Sequence, residues 1–348
     1  MQTRQAFARG SSGVRGSIRP HVAFGPARAR VHNGVVRRAG AEAAAAAAVE
    51  ASSSSSGAPP TSNVWELDFC SRPLLDERGK KVWELVITDA ERSFEFTQYF
   101  PNSKINSIEL RKALEALMAR PGAVAPEKAR FFRGQMQTII TKALGDVGIK
   151  ALPSRRCFSI MTLLEERLES VYKADPRYSD KAATMFNIDL GVPEPLPDAL
   201  RGEKWAFVQL PLGPLLDMLK QVDAGDMFGA SMSLSSAGLA DLPRDILVPG
   251  VAVFSRRAMP LAAWTNGLEI AGVKADVERS CLILETGVNQ RWRYGGWRPS
   301  PDSIEEAQGW EEAKEGTRGL HFLAVQPDPD SEDLAGLWLL QDRMPPNV

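Results

Sequence analysis

The feature that most constrains the fold is a strand pattern that occurs twice in residues 65–89, WELDFCSRPLLDERGKKVWELVITD. Trp-Glu-Leu begins at Trp65 and again at Trp83, with a charged, glycine-containing stretch between the copies. Apolar and acidic side chains alternate in each copy, which is the period of a strand with one buried face. The polar residues 76–81 can reverse the chain. We therefore predict a hairpin here, at the start of the folded protein.

Residues 1–60 have a composition unlike that of a folded domain. Residues 1–40 contain eight arginines and no acidic residue, which is typical of an organelle transit peptide. The alanine run at 43–48 is too short and too weakly apolar for the core of a secretory signal. Serines at 52–56 and Gly-Ala-Pro-Pro at 57–60 predict a flexible linker. We predict that residues 1–60 are a disordered transit peptide and linker; a merely disordered basic tail is the alternative.

Charge is distributed unevenly along the rest of the chain. Residues 61–180 carry 19 basic and 17 acidic side chains, whereas residues 181–348 carry 15 basic and 24 acidic ones. A polyanion would be attracted to the first part and repelled by the second. A nucleic-acid site is therefore expected to be local rather than spread over the whole surface.

The number and spacing of cysteines and histidines, and the lack of long apolar runs, exclude several classes of protein. The three cysteines, Cys70, Cys157 and Cys281, are scattered, which favours a reducing compartment over a disulfide scaffold. His321 is the only histidine after residue 60, so no Cys/His zinc cluster with the usual spacing can form. We predict no metal site and no cofactor. The sequence has no run of about 18 apolar residues, and we predict no membrane insertion. Phosphate-loop, dinucleotide-binding and nucleophile-elbow motifs are also absent from the sequence.

The alternation of predicted elements indicates an α+β fold with two mixed α/β modules, each a mainly antiparallel or mixed sheet packed with helices. The first module, residues 61–173, is predicted to contain strands at 64–70, 82–89, 93–100 and 149–153 and helices that include 107–119 and 126–145. A proline-rich connector is predicted at 174–203. The second module, residues 204–342, is predicted to contain strands at 205–210, 250–255, 270–276, 279–286, 290–297, 319–326 and 334–341, with helices at 213–222, 258–267 and 302–315.

The predicted helix at 126–145 carries the first group of candidate RNA contacts. At about 100° per residue, cations and one aromatic ring lie on stripes beside or opposite its apolar side. An aromatic ring flanked by cations can hold single-stranded RNA by base stacking and phosphate attraction. The alternative is an ordinary amphipathic helix with a solvated charged side. The candidate contacts are Lys128, Arg130, Phe131, Arg133 and Lys142.

A second basic pair, Arg155 and Arg156, lies where a short strand meets the next helix. Ser154 is predicted to cap that helix. Backbone N–H groups at a helix start, together with two guanidinium groups, could contact a phosphate. The alternative is that the arginines pair with Glu165, Glu166 or neighbours in the same module. If the RNA interpretation is right, joint charge reversal of these cations and those at 128–133 should abolish binding without unfolding the protein.

Three acidic side chains, Glu66, Asp68 and Glu84, are the remaining candidates for chemistry. A three-strand start followed by helices resembles ribonuclease-H-like nucleases, so a metal-dependent nuclease is an alternative function. We expect instead that these acids line the solvent face of an antiparallel sheet. Asp276 and Glu285 lie on predicted strands of the second module without the Glu-x-Lys partner of a restriction-nuclease core, and we interpret them as structural.

Seven sequence blocks together resemble one family. They are WELDFCSRPLLDERGKKVWELVITD at 65–89, FPNSKINSIELRKAL at 100–114, RFFRGQMQTIITKAL at 130–144, PSRR at 153–156, VPGVAVFSRRAMPLAAW at 248–264, LILETGVNQRWRY at 282–294 and GLHFLAVQPDPDSEDLAGLWLLQD at 319–342. The chain is similar over nearly all of 64–342 to the RNA-binding translation-factor family of chloroplasts and cyanobacteria that is required to translate the message for the photosystem I reaction-centre B subunit.

The resemblance implies a non-catalytic protein of the chloroplast stroma. It implies binding of A/U-rich single-stranded RNA in the 5′ untranslated region of a chloroplast message, work with other proteins of a translation complex, and translation activation for photosystem I, with photosystem II as an extension. It also implies that the C-terminal motif Trp338, Leu339 and Leu340 matters for function. The same tripeptide could equally be a core strand whose loss unfolds the module. Independently of the resemblance, the transit-like residues 1–60 fit a plastid address. A photosystem assembly scaffold without direct RNA contact is a further alternative.

Overall fold

Three sheets and six helices make up the part of the chain that the computed structural model describes, residues 54–188, 190–197, 200–331 and 333–348. Most of the predicted transit peptide and linker lies outside the described residues. The predicted α+β fold is confirmed. No helix within the described ranges is long and apolar enough to span a bilayer. The helices are α1 (Ser107–Met118), α2 (Gln137–Asp146), α3 (Phe158–Arg167), α4 (Leu212–Ala224), α5 (Ala258–Asn266) and α6 (Pro301–Gly316).

The first sheet has the strand order β1-β4-β3-β2-β5-β6. The predicted hairpin is confirmed, because β2 and β3 pair antiparallel with Trp65 opposite Asp89 and Cys70 opposite Glu84. β4 continues the antiparallel meander, whereas β5 and β6 run parallel to β2. The strands are β1 (Ser54–Gly57), β2 (Val64–Leu75), β3 (Lys81–Asp89), β4 (Phe94–Phe100), β5 (Lys128–Phe131) and β6 (Lys150–Pro153).

One face of the first sheet carries the apolar side chains of the repeated strand pattern. Trp65, Leu67 and Phe69 alternate along β2 and are completely buried in a cluster with side chains of α1 and α2. α1 begins where the sequence predicts it, since the Asn106 side chain accepts hydrogen bonds from the backbone N–H groups of Ile108 and Glu109. Helix capping and strand alternation therefore position this face as predicted.

The prediction of a helix at 126–145 is wrong for the first half of that segment. Lys128–Phe131 form strand β5, a 3-10 turn spans Gly134–Met136, and only Gln137–Asp146 are α-helical. A four-residue segment in which charged and apolar residues alternate fits a strand as well as a helix, and pairing on both sides decides between them. β5 lies between β2 and β6, which gives its backbone groups partners on both edges. As a result, Phe131 enters the core with α1 and α2.

Residues expected to belong to linkers also join the sheets. Ser54–Gly57, expected within the flexible linker, pair antiparallel with β4 as an edge strand. In the proline-rich segment, Glu194–Pro195 form the two-residue strand β7. Upstream of it, Leu74 and Tyr178 form an isolated bridge, and the Ser71 and Thr184 hydroxyl oxygens are 2.9 Å apart. The described part of the connector therefore packs against elements on either side of it.

The second and third sheets contain the C-terminal strands. The second sheet has the order β8-β10-β14-β15-β9, and the third has the order β11-β12-β13-β7. Predicted strands and helices here match the structure to within a few residues, apart from the added strands β7 and β9. The strands are β8 (Lys204–Pro211), β9 (Phe228–Ala230), β10 (Leu247–Phe254), β11 (Ile270–Asp276), β12 (Cys281–Thr286), β13 (Gln290–Gly296), β14 (Leu320–Gln326) and β15 (Gly336–Gln341).

The C-terminal Trp-Leu-Leu motif is an interior strand. β15 lies between β14 and β9, and Trp338, Leu339 and Leu340 are all buried. Their alternation sends Trp338 and Leu340 into one apolar cluster and Leu339 into another, on the opposite face of the sheet. Gly336 lets the Trp338 ring lie close to the backbone, because a Cβ at Gly336 would be 2.4 Å from that ring. The motif therefore has a packing role in the fold.

Replacement of Trp338 by alanine should destabilise the protein strongly. Removal of a fully buried indole leaves a cavity, and such substitutions cost about 3–5 kcal/mol. Chemical denaturation of wild type and Trp338→Ala measures the difference. Met259→Ala is the control, because Met259 is 59% exposed and its truncation should change stability little. Equal stability of wild type and Trp338→Ala would contradict the packing role.

Candidate nucleic-acid interface

The predicted RNA-contacting arginines lie mainly between the first sheet and the C-terminal sheets, not on an open helix. Arg130 donates from Nε to Glu269 Oε2 at 2.9 Å, and Ser154 Oγ donates to the same oxygen at 2.9 Å. Arg155 Nη2 lies 2.5 Å from Glu285 Oε2. We call the group Arg130, Ser154, Arg155 and Arg156, with its partners, the arginine seam. It joins β5 and the residues after β6 to the third sheet and to β15.

Arg156 is held in the arginine seam by carbonyl oxygens. Its guanidinium donates to Leu339 O and to Ser231 O, at 3.0 Å each. Among the described residues no carboxylate pairs with it, and its Nε has no hydrogen-bond partner. Burial, followed by the nearby charge of Arg130, lowers the pKa of Arg156 to about 10. Arg156 therefore links the PSRR block directly to the backbone of the Trp-Leu-Leu strand.

The expected local partners of the two arginines have other contacts. Glu165 pairs with Arg343, and Glu166 pairs with Arg92. Ser154 does not cap α3, whose N-cap position is Cys157. The partners that sequence reasoning missed, Glu269 and Glu285, are distant in the chain and carry no local signal, although the structural role expected for Glu285 agrees with its place here.

The acidic face of the first sheet is buried, so the expectation that it faces solvent is wrong. Asp68 accepts from Arg72 Nη1 at 2.7 Å and from Arg133 Nε at 2.9 Å. Arg72 also donates to Glu84 at 2.8 Å, and all these side chains are buried. The physical reason is that α3 and the helical turn after it cover this face, through an apolar cluster that includes Ile160 and Leu164.

Guanidinium groups stabilise the ionised form of Asp68. Burial would raise the pKa of Asp68, but Arg133 and Arg72 outweigh it and hold that pKa below its ordinary value. Glu84 is also contacted by Arg167 and by the Tyr172 hydroxyl group, which donates at 2.5 Å. Burial first, and then the Glu84 charge, raise the pKa of Tyr172 well above its usual range, so the phenol stays protonated as a donor.

This network bears on the alternative of a metal-dependent nuclease. The first sheet has four antiparallel strands, β1 to β4, followed by the parallel strands β5 and β6. Asp68 and Glu84 are bridged by Arg72, and no group of three or more His, Cys, Asp or Glu among the described residues could hold a metal ion. The geometry supports a structural ion network, and strand order alone does not carry activity.

Glu66 lies apart from that network, beside a small cavity of about 40 Å³. Its Oε2 accepts a hydrogen bond from Ile160 N at 2.9 Å, at the first turn of α3. Arg130, Arg156 and serines of residues 231–236 also line the cavity. Burial raises the pKa of Glu66 to about 7, although the Ile160 N–H and the charge of Arg130 act in the opposite direction.

Lysines are the predicted contacts that remain accessible. Lys142 is 62% exposed on α2, where it pairs with Asp146. Lys128 is half-buried at the start of β5 and lies directly opposite Lys150, an exposed residue at the start of β6. Neighbouring like charges repel each other, and no carboxylate of the described residues forms an ion pair with either lysine. We call Lys128 and Lys150 the lysine pair; sequence reasoning misses Lys150 because a single cation on a short strand gives no distinctive pattern.

The comparison with protein families matches both parts of this structure. "RNA-binding protein Tab2/Atab2 N terminal" matches residues 64–167, and "RNA-binding protein Tab2/Atab2, C-terminal domain" matches residues 183–341. The chain belongs to the Tab2/Atab2 family of RNA-binding proteins. The family resemblance of the seven sequence blocks is thereby confirmed.

Two relatives of this Tab2-family chain are similar over most of their length. "Protein TAB2 homolog, chloroplastic" of Zea mays is 50% identical over 290 residues, which is 83% of this chain and 74% of that protein. The Arabidopsis thaliana protein of the same name is 48% identical over 284 residues, or 82% of this chain and 76% of the relative. A chain of the simian T-cell lymphotropic virus intasome in complex with PP2A regulatory subunit B56 gamma matches at 16% identity, covering 44% of this chain and 67% of that one. The TM-score of this match is 0.22.

Replacement of Asp68 by asparagine should destabilise the protein without revealing a catalytic role. The substitution leaves buried Arg133 without its carboxylate and removes one of the two carboxylates that Arg72 contacts, and disruption of a buried ion pair costs about 3–5 kcal/mol. Denaturant unfolding measures this loss. Glu95→Gln is the control, since the Arg92–Glu95 pair is partly exposed and should contribute no more than about 1 kcal/mol. The structural interpretation fails if the wild type cleaves RNA with Mg²⁺ or Mn²⁺ and Asp68→Asn does not.

Replacement of Glu66 by glutamine should remove a pH-dependent loss of stability. The folded state raises this pKa from 4.5 to about 7, so it binds a proton that the unfolded chain releases. Protonated Glu66 therefore contributes fully to the stability of the folded state below about pH 4.5, and this contribution is lost as the pH rises through 7. We expect Glu66→Gln to melt several degrees above wild type at pH 8 and close to it at pH 5. Glu127→Gln, at an exposed position, controls for loss of one charge; the same pH dependence in both variants would contradict the argument.

Proposed function

We propose that the protein is a non-catalytic chloroplast protein that binds A/U-rich single-stranded RNA in the 5′ untranslated region of photosystem messages and activates their translation. The observation that carries this proposal is the family match over 64–167 and 183–341, whose description is RNA binding. Two relatives are named chloroplastic, and the arginine-rich, acid-free residues 1–40 support a plastid address. We place the protein in the stroma, with other proteins of a translation complex as partners.

We propose the lysine pair and Lys142 as phosphate contacts. Lys128 and Lys150 start neighbouring parallel strands, which lie about 4.8 Å apart, so both ammonium groups can reach one phosphate or two successive ones. Repulsion between the two lysines makes an anion between them favourable. The predicted contacts at Arg130, Phe131, Arg133, Arg155 and Arg156 could reach RNA only if their present contacts opened. We therefore assign these five residues to stability in the present conformation and propose direct RNA contact for them only after such an opening.

The full chain should bind an A/U-rich leader RNA with an affinity that falls as salt rises. For single-stranded RNA, the logarithmic slope is about −0.7 for each phosphate contacted. The variant Lys128→Glu with Lys150→Glu should bind more weakly, and its slope should be shallower by about 0.7 for each phosphate that the two lysines neutralise in wild type. Fluorescence anisotropy at several salt concentrations measures both quantities.

The control for this experiment is Lys80→Glu with Lys181→Glu, which makes the same change in net charge at two exposed positions. We expect this variant to keep most of the affinity and the slope of wild type. Equal losses of affinity in the two double variants would show that only net charge matters and would remove the lysine pair from the interface. Failure of wild type to bind any leader RNA at low salt would contradict the proposed function and favour an assembly scaffold without direct RNA contact.

A further inference from the structure

A cavity of about 290 Å³ lies beside the turn between β12 and β13. Residues 191, 192 and 194 of the connector form one wall, and residues 289–292 form the other. The two walls meet where β7 pairs with β13, with Glu194 opposite Trp292 and Pro195 opposite Arg293. The volume is close to the lower end of the roughly 300–1,000 Å³ range of small-molecule sites. Neither the arginine seam nor the lysine pair contributes to this cavity.

Trp292 gives the cavity an aromatic wall. The ring is half-buried and packs partly against the apolar cluster of the second and third sheets. Its Nε1 donates to Thr286 Oγ1 at 3.0 Å, which holds the indole in one orientation. A fixed aromatic ring at a cavity wall can stack on a nucleic-acid base at little entropic cost, and such stacking is largely independent of sequence.

Arginines flank this tryptophan in the sequence Gln290-Arg291-Trp292-Arg293. Arg291 is held against Glu285, with Nε 3.3 Å from Oε1. Arg293 is exposed, and no carboxylate in the described part of the chain forms an ion pair with it. Successive residues of a strand point to opposite faces, so Arg293 does not line the cavity; its exposed guanidinium can contact a phosphate of the same RNA outside the cavity. This is the combination of aromatic ring and cations that the sequence suggested at 126–145, but here Trp292 lines a cavity.

The polar lining favours a base over a free phosphate. Glu194 carries an exposed carboxylate, which repels phosphate but accepts hydrogen bonds from an exocyclic amino group. Asn289 and Gln290 have amide side chains, which can both donate to and accept from the edge of adenine. Uracil can donate to Glu194 only through its ring N3–H, which lies between two carbonyl oxygens that repel the carboxylate. The lining therefore favours adenine over uracil.

We propose that this cavity binds one unstacked base of single-stranded RNA, with adenine preferred to uracil, Trp292 stacked on the base and Arg293 in contact with a phosphate of the same RNA outside the cavity. The proposal rests on the proposed function, RNA binding, and names a site and a base preference for it. It also assigns part of the connector, at Glu194, to ligand recognition. In this proposal, the second and more acidic part of the chain makes a local contact with RNA.

Binding of oligoadenylate and oligouridylate of equal length by the full-length protein tests the site. Trp292→Ala and Arg293→Glu should each weaken oligoadenylate binding, roughly tenfold for Trp292→Ala because base stacking on one ring is worth about 1–3 kcal/mol. Trp292→Phe keeps an aromatic ring and should retain most of the affinity. Glu194→Gln should lower the ratio of adenylate to uridylate affinity. Lys80→Glu, at an exposed position of the β2–β3 turn, matches the charge change of Arg293→Glu and should bind as wild type.

The outcomes distinguish failure of this site from failure of the proposed function. Wild-type binding together with unchanged affinity in correctly folded Trp292→Ala and Arg293→Glu overturns the site and leaves RNA binding in place. If Trp292→Ala melts early, Arg293→Glu and Glu194→Gln decide, because both residues are exposed. An unchanged adenylate preference in Glu194→Gln removes the base assignment. No binding of either oligonucleotide by wild type overturns the proposed function and this site together.

Discussion

Pairing of buried carboxylates with buried guanidinium groups is the constraint on which the rest of the structure depends. β2 is an interior strand with helices on both faces, so Asp68 has no access to water. Arg72 and Arg133 supply its counter-charge, and Arg155 does the same for Glu285 in the arginine seam. An unpaired charge at such positions costs several kcal/mol, more than most single contacts contribute. α3 can therefore cover the first sheet, and the third sheet can close on β5, only while these pairs persist.

The arginine seam also explains how distant sequence motifs act as one structural unit. Arg156 donates to the carbonyl oxygen of Leu339, so the PSRR block contacts the Trp-Leu-Leu strand through its backbone. A backbone acceptor is independent of the side chain at that position, whereas the packing of Trp338 and Leu340 on one face of β15 is not. Damage to the motif would disturb the second sheet and the arginine seam together. Loss of function after such damage can arise from unfolding, without any contact between the motif and RNA.

The sequence is sufficient to predict elements whose signals are local. The hairpin follows from alternation around a polar turn, and the start of α1 follows from Asn106, because both depend on residues close in the chain. The segment at 128–131 resembles part of a helix in sequence. It is a strand because β2 and β6, which lie elsewhere in the chain, pair with it. The same limitation applies to charges. Arg130 and Glu269 are 139 positions apart, so composition shows the cation but not its partner.

Internal pairing of arginines changes how RNA affinity must arise. A basic first half suggests a protein held to RNA mainly by phosphate contacts, yet Arg130, Arg133 and Arg155 are already neutralised by carboxylates. Release of these groups to a phosphate would leave Asp68, Glu269 or Glu285 buried without a counter-charge, which costs more than one exposed phosphate contact contributes. Under the proposed function, the electrostatic part of RNA binding would therefore come from the few accessible cations, and the remainder from stacking and hydrogen bonds to bases. Since those contacts depend less on salt than phosphate contacts do, base recognition should account for an increasing share of the affinity as ionic strength rises.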